Sequence, residues 1–511
     1  MVKSWTGTYK HRYRAAYALP GVLTWSIVTV AMVGFIAYPR SWVVITSAFM
    51  CYFVARMVLS LVFYAIGRAR VREWERTDWA SYDSVPGPAG FAPADVYHVV
   101  IIPTYKEPIE ILERTLDALS VQHRARERVI PVIAMEEREV GAREKGAALA
   151  EKYAVAFAEI FVTVHPPDLP GEIPGKSSNM SWAASEVYPV LVGERGIAAE
   201  RITVTSCDAD SVLHPLYFEA VSDLFANDQR RYGRFWQAPL HFDNNLWQVP
   251  APIRVTAWIA HAGQMAELAM PFYEPLPIST YTLSFRTAVE CGLWDPMVIS
   301  EDWHAYLNVM FERGGDVGLT PVFLPTKGDA VDGETFLAGL KARHDQVMRH
   351  SWGAEDAGFL LARMVQQRWW HRRAVFRFGQ VLHDHVSRAT AWFFIVSTYL
   401  LLGYAEPLFT NDLTRIIMVH PGVPYLREIF VVGAAALVTT VIAELIRTPP
   451  PADRRPVSVI FELAVAWLTL PVVGFYLGTL PALRAQTRLM LGMPFSYKVT
   501  EKRAVPAPEA V

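Results

Sequence analysis

Cysteine is nearly absent. The 511 residues hold only Cys51, Cys207 and Cys291, far apart in the chain. No two form a CxxC pair, so neither a zinc site nor a disulfide framework is indicated. Charge is scarce and balanced: 19% of residues are charged and the formal net charge is −2. A nucleic-acid partner, which calls for a basic surplus, is therefore not expected. There are no internal repeats and no low-complexity tracts. A Walker phosphate loop is also missing, because Gly175-Lys176-Ser177 lacks the earlier glycine of GxxxxGK[ST].

What the chain has in plenty is apolar residues, 52% of the total, with a mean hydropathy of +0.19. They are unevenly spread. Residues 15–39 carry no charge and residues 41–67 only Arg56. Residues 389–411 carry only Glu406, 429–445 only Glu444 and 457–483 only Glu462. Each of the longer runs can cross a bilayer. Arg56 in mid-span either snorkels or faces the bundle interior. The first run follows Lys3, Lys10, Arg12 and Arg14, has no small-residue cleavage site, and is followed at once by a second span. It reads as a retained anchor rather than a cleaved signal peptide. The Lys/Arg excess puts the N-terminus in the cytoplasm, and two spans return the polar middle to the same side. The expectation is an integral membrane protein of the bacterial plasma membrane with a cytoplasmic domain. Pro471, Gly474 and Gly478 are expected to break the last run into a re-entrant or interfacial segment.

The middle alternates short apolar strands with helical patterns. Strands are expected over 97–105, 129–135, 158–164 and 202–210. Ile109, Leu112, Leu116 and Leu119 share a helix face, and residues 141–157 suggest another helix. This alternation predicts a parallel α/β sheet, with ligands at the carboxyl ends of its strands. Polar groups gather there: Thr104, Tyr105 and Glu107; Glu136; Asp208 and Asp210. The Pro-rich stretches 86–95 and 447–456 read as linkers. Arg368-Trp369-Trp370-His371-Arg372-Arg373 mixes basic and aromatic side chains, as an interfacial helix on anionic lipid does. His371, His383 and His385 are candidate metal ligands there, with headgroup contact the simpler reading.

Four stretches carry candidate chemistry. Asp208-Ala209-Asp210 ends a strand, and two carboxylates one residue apart suit Mg²⁺ or Mn²⁺. Lys176 opens a helix, where a diphosphate fits. Gln346-Val347-Met348-Arg349-His350-Ser351-Trp352 offers an arginine for a phosphate and a tryptophan for a sugar face. Ser300-Glu301-Asp302-Trp303 reads locally as a helix start, with Ser300 as cap and two acids against the dipole.

In this order and spacing the pieces resemble glycosyltransferase family 2, in its membrane-embedded, processive branch of cellulose and hyaluronan synthases. The resemblance covers roughly residues 97–355 and the tail. PTYKE resembles the family's opening strand motif, and CDAD its DxD. SEDWH resembles TED, QVMRHSWG resembles QxxRW, and residues 497–502 resemble the gating-loop motif FxVTxK. Glu136 stands where the family often has an aspartate. His350 replaces the tryptophan of QxxRW, with Trp352 two residues later.

The resemblance implies a cytoplasmic GT-A, Rossmann-like α/β domain combined with an α-helical transmembrane region. It divides the chain into 1–67 (tail and two spans), 68–96 (linker), 97–355 (glycosyltransferase domain), 356–388 (interfacial helices), 389–483 (membrane region) and 484–511 (cytoplasmic tail). Asp302 is the implied base. Glu301, Trp303, His350 and Trp352 support the acceptor. Thr104, Tyr105, Glu107, Glu136, Lys176, Asp208, Gln346, Arg349, Thr500 and Lys502 hold the nucleotide sugar, and Asp208 and Asp210 hold Mg²⁺ or Mn²⁺. The implied reaction is inverting transfer from a UDP-sugar to a growing β-linked polysaccharide. Transfer to a lipid acceptor is the second reading, and a non-catalytic nucleotide-sugar sensor or scaffold the third.

Overall fold

The computed structural model describes residues 10–82, 86–401 and 423–495. Two long helices open it, α1 (Arg14–Ala37) and α2 (Pro39–Arg76). A sheet follows, beginning with β1 (Tyr97–Pro103), β2 (Val129–Glu136), β3 (Phe161–His165) and β4 (Ile202–Ser206). These four run parallel in the order β3-β2-β1-β4. Their apolar runs are buried on both faces, as a sheet covered on two sides requires. Val99 and Ile101 of β1 point into one core layer, and Val100 and Ile102 into the other. Helices α3 (Ile109–Ser120) and α4 (Ala142–Tyr153) fill the second layer with Leu112, Leu116, Leu119 and Leu149. Helix α5 (Lys176–Pro189) fills the first with Met180, Ala183, Ala184 and Val187.

The sheet then departs from the all-parallel expectation. It has seven strands in the order β3-β2-β1-β4-β7-β5-β8, with β5 (Arg234–Gln237), β7 (Tyr281–Ser284) and β8 (Gly318–Pro321). A two-stranded sheet joins β6 (Leu240–His241) to β9 (Thr326–Lys327). β7 runs antiparallel to both β4 and β5. The cause lies in α6 (Ala251–Ala269), which does not cross back over the sheet but packs on α2. The chain therefore re-enters the sheet from its carboxyl end. Ser279, just before β7, is delivered to that end.

Helices α7 (Glu301–Glu312), α8 (Phe336–Ser351), α9 (Glu355–Gln367) and α10 (Arg372–Leu401) follow, then α11 (Val423–Arg447), α12 (Pro456–Gly474) and α13 (Leu480–Leu491). Among the described residues, four helices are long and apolar enough to cross a membrane: Arg14–Ala37, Val44–Arg76, Glu428–Arg447 and Pro456–Leu491. That is the signature of an integral membrane protein. The expected run 389–411 begins inside α10, and its end lies outside the described residues. The last run is not broken. It stays helical through a wide π turn, Phe475–Thr479, around Gly478. His344 pairs through Nδ1 with the Tyr476 carbonyl at 2.7 Å, tying that turn to α8.

Among the described residues, the charged side chains of the apolar runs have polar partners. Glu444 is fully buried and meets Tyr64, His261 Nδ1 at 2.9 Å and Arg447 at 2.8 Å. Glu462 takes Arg254 at 2.7 Å and Arg454 at 3.0 Å. Arg56 approaches Glu267 at 3.9 Å. Arg254 and Glu267 come from α6, so this helix acts as the connector between sheet and apolar helices.

The stretch expected to lie on lipid also makes contacts within the protein. α9 is buried along most of its length, and Ala357, Phe359, Leu360 and Ala362 belong to the main core. Trp369 stacks on His371 and packs against Phe311, while Arg373 donates to the Gly315 carbonyl at 2.8 Å. Trp369, His371 and Arg373 close the end of α7, while Arg368, Trp370 and Arg372 are exposed. Among the described residues no group of three His, Cys, Asp or Glu side chains is arranged to hold a metal, and His383 instead pairs with Asp384 and Tyr52.

Candidate active site

A cavity of about 730 Å³ opens at the carboxyl ends of the strands. Its walls bring together most of the residues singled out from sequence: Thr104, Tyr105, Glu107 and Glu136; Lys176, Asp208 and Asp210; Glu301, Asp302 and Trp303; Gln346, Arg349 and His350. Trp352 is not among them. It is 4% exposed, packs against Phe495, and donates to Glu355 at 3.2 Å. An indole in an apolar cluster offers no face to a sugar. Thr500 and Lys502 lie outside the described residues.

At one end, the loop after β1 folds around Glu107. The Thr104 hydroxyl and the Tyr105 amide both donate to that carboxylate, at 2.8 and 2.5 Å. Glu136 closes β2 and pairs with Arg138, whose guanidinium lies 4.5 Å from the Tyr105 ring centre. Burial raises the Glu136 carboxyl above its usual range, with Arg138 opposing. The GKSSN stretch sends only Lys176 into the cavity. Ser177 donates to the Asp295 carbonyl and Asn179 to the Ala134 carbonyl, so both hold the helix start in place.

Lys176 is the hub of the centre. Its ammonium reaches Asp208 at 2.7 Å, Glu301 at 2.7 Å and the Ser279 carbonyl at 2.8 Å. Burial works against this charge, but Asp208 and Glu301 outweigh it and hold the proton firmly. Asp302 lies beside Glu301. Its Oδ1 accepts from the Trp303 amide at 2.9 Å and its Oδ2 from the Ser279 amide at 3.2 Å. Burial, then the Glu301 charge, push its carboxyl up to about 7. Ser300 makes no capping bond to α7. Its hydroxyl turns to the Arg349 carbonyl instead, at 3.4 Å. The acids thus begin a helix, yet their carboxylates belong to the cavity.

Asp208 has both oxygens engaged, one by Lys176 and one by the Ser279 hydroxyl at 2.5 Å. Asp210 is buried and accepts from the Asp329 amide at 3.1 Å. Asp329 pairs with Arg114 at 2.6 Å. Burial and the Asp210 charge raise its carboxyl. The site therefore holds surplus buried negative charge made of hard oxygen donors. That donor set fits Mg²⁺ or Mn²⁺, which commonly take one or two carboxylates and complete their shell with substrate phosphate. A carboxylate oxygen has two lone pairs, so Asp208 can share with a metal without releasing Lys176.

Ser279 was not legible in the sequence. It sits in the left-handed region at φ 58°. From there its amide, hydroxyl and carbonyl serve Asp302, Asp208 and Lys176 together. Such a backbone costs a side-chain-bearing residue about 1 kcal/mol or more. Ser279→Gly and Ser279→Ala are therefore expected to lose similar activity, about tenfold, by removing the hydroxyl. They should separate in stability, with the glycine variant about 1 kcal/mol more stable than the alanine variant. Thermal unfolding and initial rates on the two proteins check this.

No family model matches the chain, and no curated protein does. Among solved structures, it is similar to GalNAc-T7 crystallised with UDP, GalNAc and Mn²⁺, at 9% identity and TM-score 0.30, over 54% of each chain. It is also similar to S. aureus TarS at 11% identity and TM-score 0.29, over 66% of this chain and 54% of that one. A fragment, TarS 1–349, aligns over 70% of this chain and 93% of its own, at 11% identity and TM-score 0.29. The chain thus spans about half the length of the first two structures it matches.

Proposed function

We propose that this protein is an inverting, metal-dependent membrane glycosyltransferase with a nucleotide diphospho-sugar as donor, UDP-linked by family resemblance. The observation that carries the reading is the set around Ser279: one lysine, the DxD aspartate and the SED aspartate, tied together in a single cavity. The base fits beside Tyr105, Glu136 and Arg138, and the diphosphate between Lys176 and Arg349. Asp208 and Asp210 would hold the cation, which would supply positive charge against the leaving diphosphate.

The acceptor hydroxyl attacks the anomeric carbon, and Asp302 takes its proton as the new C–O bond forms. The bond to the diphosphate breaks, and the nucleotide leaves with the electron pair. Lys176 and Arg349 stabilise that charge from fixed positions. Glu301 keeps Asp302 basic. A single displacement inverts the anomeric centre, so an α-linked donor gives a β-linked product. The catalytic domain faces the cytoplasm, where nucleotide sugars are made, and the membrane is the bacterial plasma membrane.

Family resemblance favours a growing polysaccharide as acceptor. The seat of Trp352 inside the apolar core favours the other reading, one transfer to a lipid. Purified protein with Mn²⁺ or Mg²⁺ and a panel of UDP- and GDP-sugars tests the proposal. One donor is expected to turn over, with Asp208→Asn lowering the rate at least a hundredfold and weakening the apparent metal affinity. If no donor released nucleotide with any polymer or lipid acceptor, the reading would fail.

A further inference from the structure

The cavity does not end at the reacting carboxylates. It continues to the wide turn of the last apolar helix, where Gly474, Leu477 and Gly478 form its wall. Two guanidiniums line it near that turn. Arg343 stands on α8 six residues before Arg349, about 9 Å along the helix. Its neighbour His344 holds the Tyr476 carbonyl of the turn. Arg388 comes from α10, and its carbonyl accepts from Thr479 at 3.3 Å.

Neither cation has an ion-pair partner among the described residues. Arg343 donates to the Gln346 side chain. The Arg388 side chain makes no hydrogen bond among the described residues, and Asp384 and Glu267 act on it only through their charge. Beside them His385 is 3% exposed, lines the same cavity, and has no partner for either ring nitrogen. Burial, then Arg388, pull the Arg343 guanidinium down to about 10. Two neighbouring cations in a protein interior are unfavourable unless an anion joins them. Guanidinium forks fit phosphate and carboxylate oxygens.

The occupant follows from the walls and from Asp302. The wall at this end belongs to a helix whose other side chains, Leu468 and Val472, are 80% and 73% exposed, as lipid-facing residues are. A general base is needed only if the acceptor attacks through a hydroxyl, because a phosphate oxygen is already ionised. We propose that Arg343, Arg388 and His385 form an anion subsite for the phosphate of a membrane lipid whose headgroup hydroxyl is the acceptor. This rests on the glycosyltransferase reading. The headgroup O–H gives its proton to Asp302 and its oxygen to the anomeric carbon, while the lipid phosphate is unchanged.

Phosphatidylglycerol carries both groups and serves as the probe. Labelled phosphatidylglycerol in phosphatidylcholine nanodiscs would be titrated against the full-length protein with UDP and Mn²⁺, in wild type, Arg343→Gln and Arg388→Gln. UDP affinity would be measured on the same samples. Expected are binding above the phosphatidylcholine background, competition by inorganic phosphate, and about tenfold weaker lipid binding in each variant, with UDP affinity within twofold. Lipid binding equal in wild type and both variants, or absent from wild type, would overturn the subsite. So would a matching tenfold fall in UDP affinity, which would assign the arginines to the donor diphosphate. Arginine-dependent binding of polygalacturonate oligomers in place of the lipid would overturn it in favour of an acidic polymer. Failure of wild type to bind UDP with Mn²⁺ would instead sink the glycosyltransferase reading and this inference with it.

Discussion

Asp302→Asn is expected to lower kcat by about three orders of magnitude, within the range for loss of a general base, while UDP binding stays within twofold. The pH profile gives the sharper check. Burial and the neighbouring Glu301 raise the Asp302 carboxyl to about 7. Only the ionised form accepts a proton, so kcat/KM, which reports the free enzyme, should rise with pH through about 7 and level off above it. Glu301→Gln removes the like charge and should move that limb to lower pH. The variant Asp302→Asn should show no limb.

The same shift has a consequence for stability. In the unfolded chain this carboxyl ionises near pH 4. Its folded value is higher, so the native state binds the proton more tightly. The group's contribution is favourable at low pH and is lost as pH rises from about 4 towards 7. At neutral pH the ionised Asp302 therefore works against the fold. The uncharged amide removes that penalty, so Asp302→Asn should unfold at the same or a higher temperature than wild type. An inactive variant that is no less stable separates a functional group from a packing group. A large drop in thermal stability would return Asp302 to a helix start.

How far the sequence alone led depended on the kind of force at work. The strands β1 to β4 were legible because two-sided burial selects β-branched runs, and Val99 to Ile102 show it. That Asp208, Asp302 and Arg349 line one cavity was legible because the proposed chemistry needs fixed residue types at short spacing. Ser279 was not, since its role comes from backbone direction at the start of an antiparallel strand, and nothing in Ile278-Ser279-Thr280 encodes that. β7 itself was missed for the same reason: the diversion of α6 onto α2 is a long-range packing choice. Trp352 was misplaced because two residues along a helix turn a side chain by more than half a circle. In the basic and aromatic stretch at 368–373, which composition assigns to lipid, Arg373 donates to the carbonyls of Gly315 and Val317, a contact that composition does not encode.

Lys176→Met should be the most destructive single change at this site. The ammonium contacts both Asp208 and Glu301, and Glu301 is 6% exposed. Removing one partner of a buried pair leaves the other charge unmatched, at about 3–5 kcal/mol. Here two carboxylates are left, with Asp302 beside them, so part of the loss should be avoided by proton uptake. Asp302, no longer near a positive charge, should titrate higher still, and any residual activity should shift to more alkaline pH. Pairing the change with Glu301→Gln separates charge from volume. If repulsion among the acids is the cause, the double variant should recover about 1–3 kcal/mol over Lys176→Met alone, as a double-mutant cycle on contacting groups reads it. It should not recover activity, because the diphosphate still lacks its lysine. Equal instability of single and double variants would mean that Lys176 acts through the packing of its stem, and the electrostatic account of the centre would be wrong.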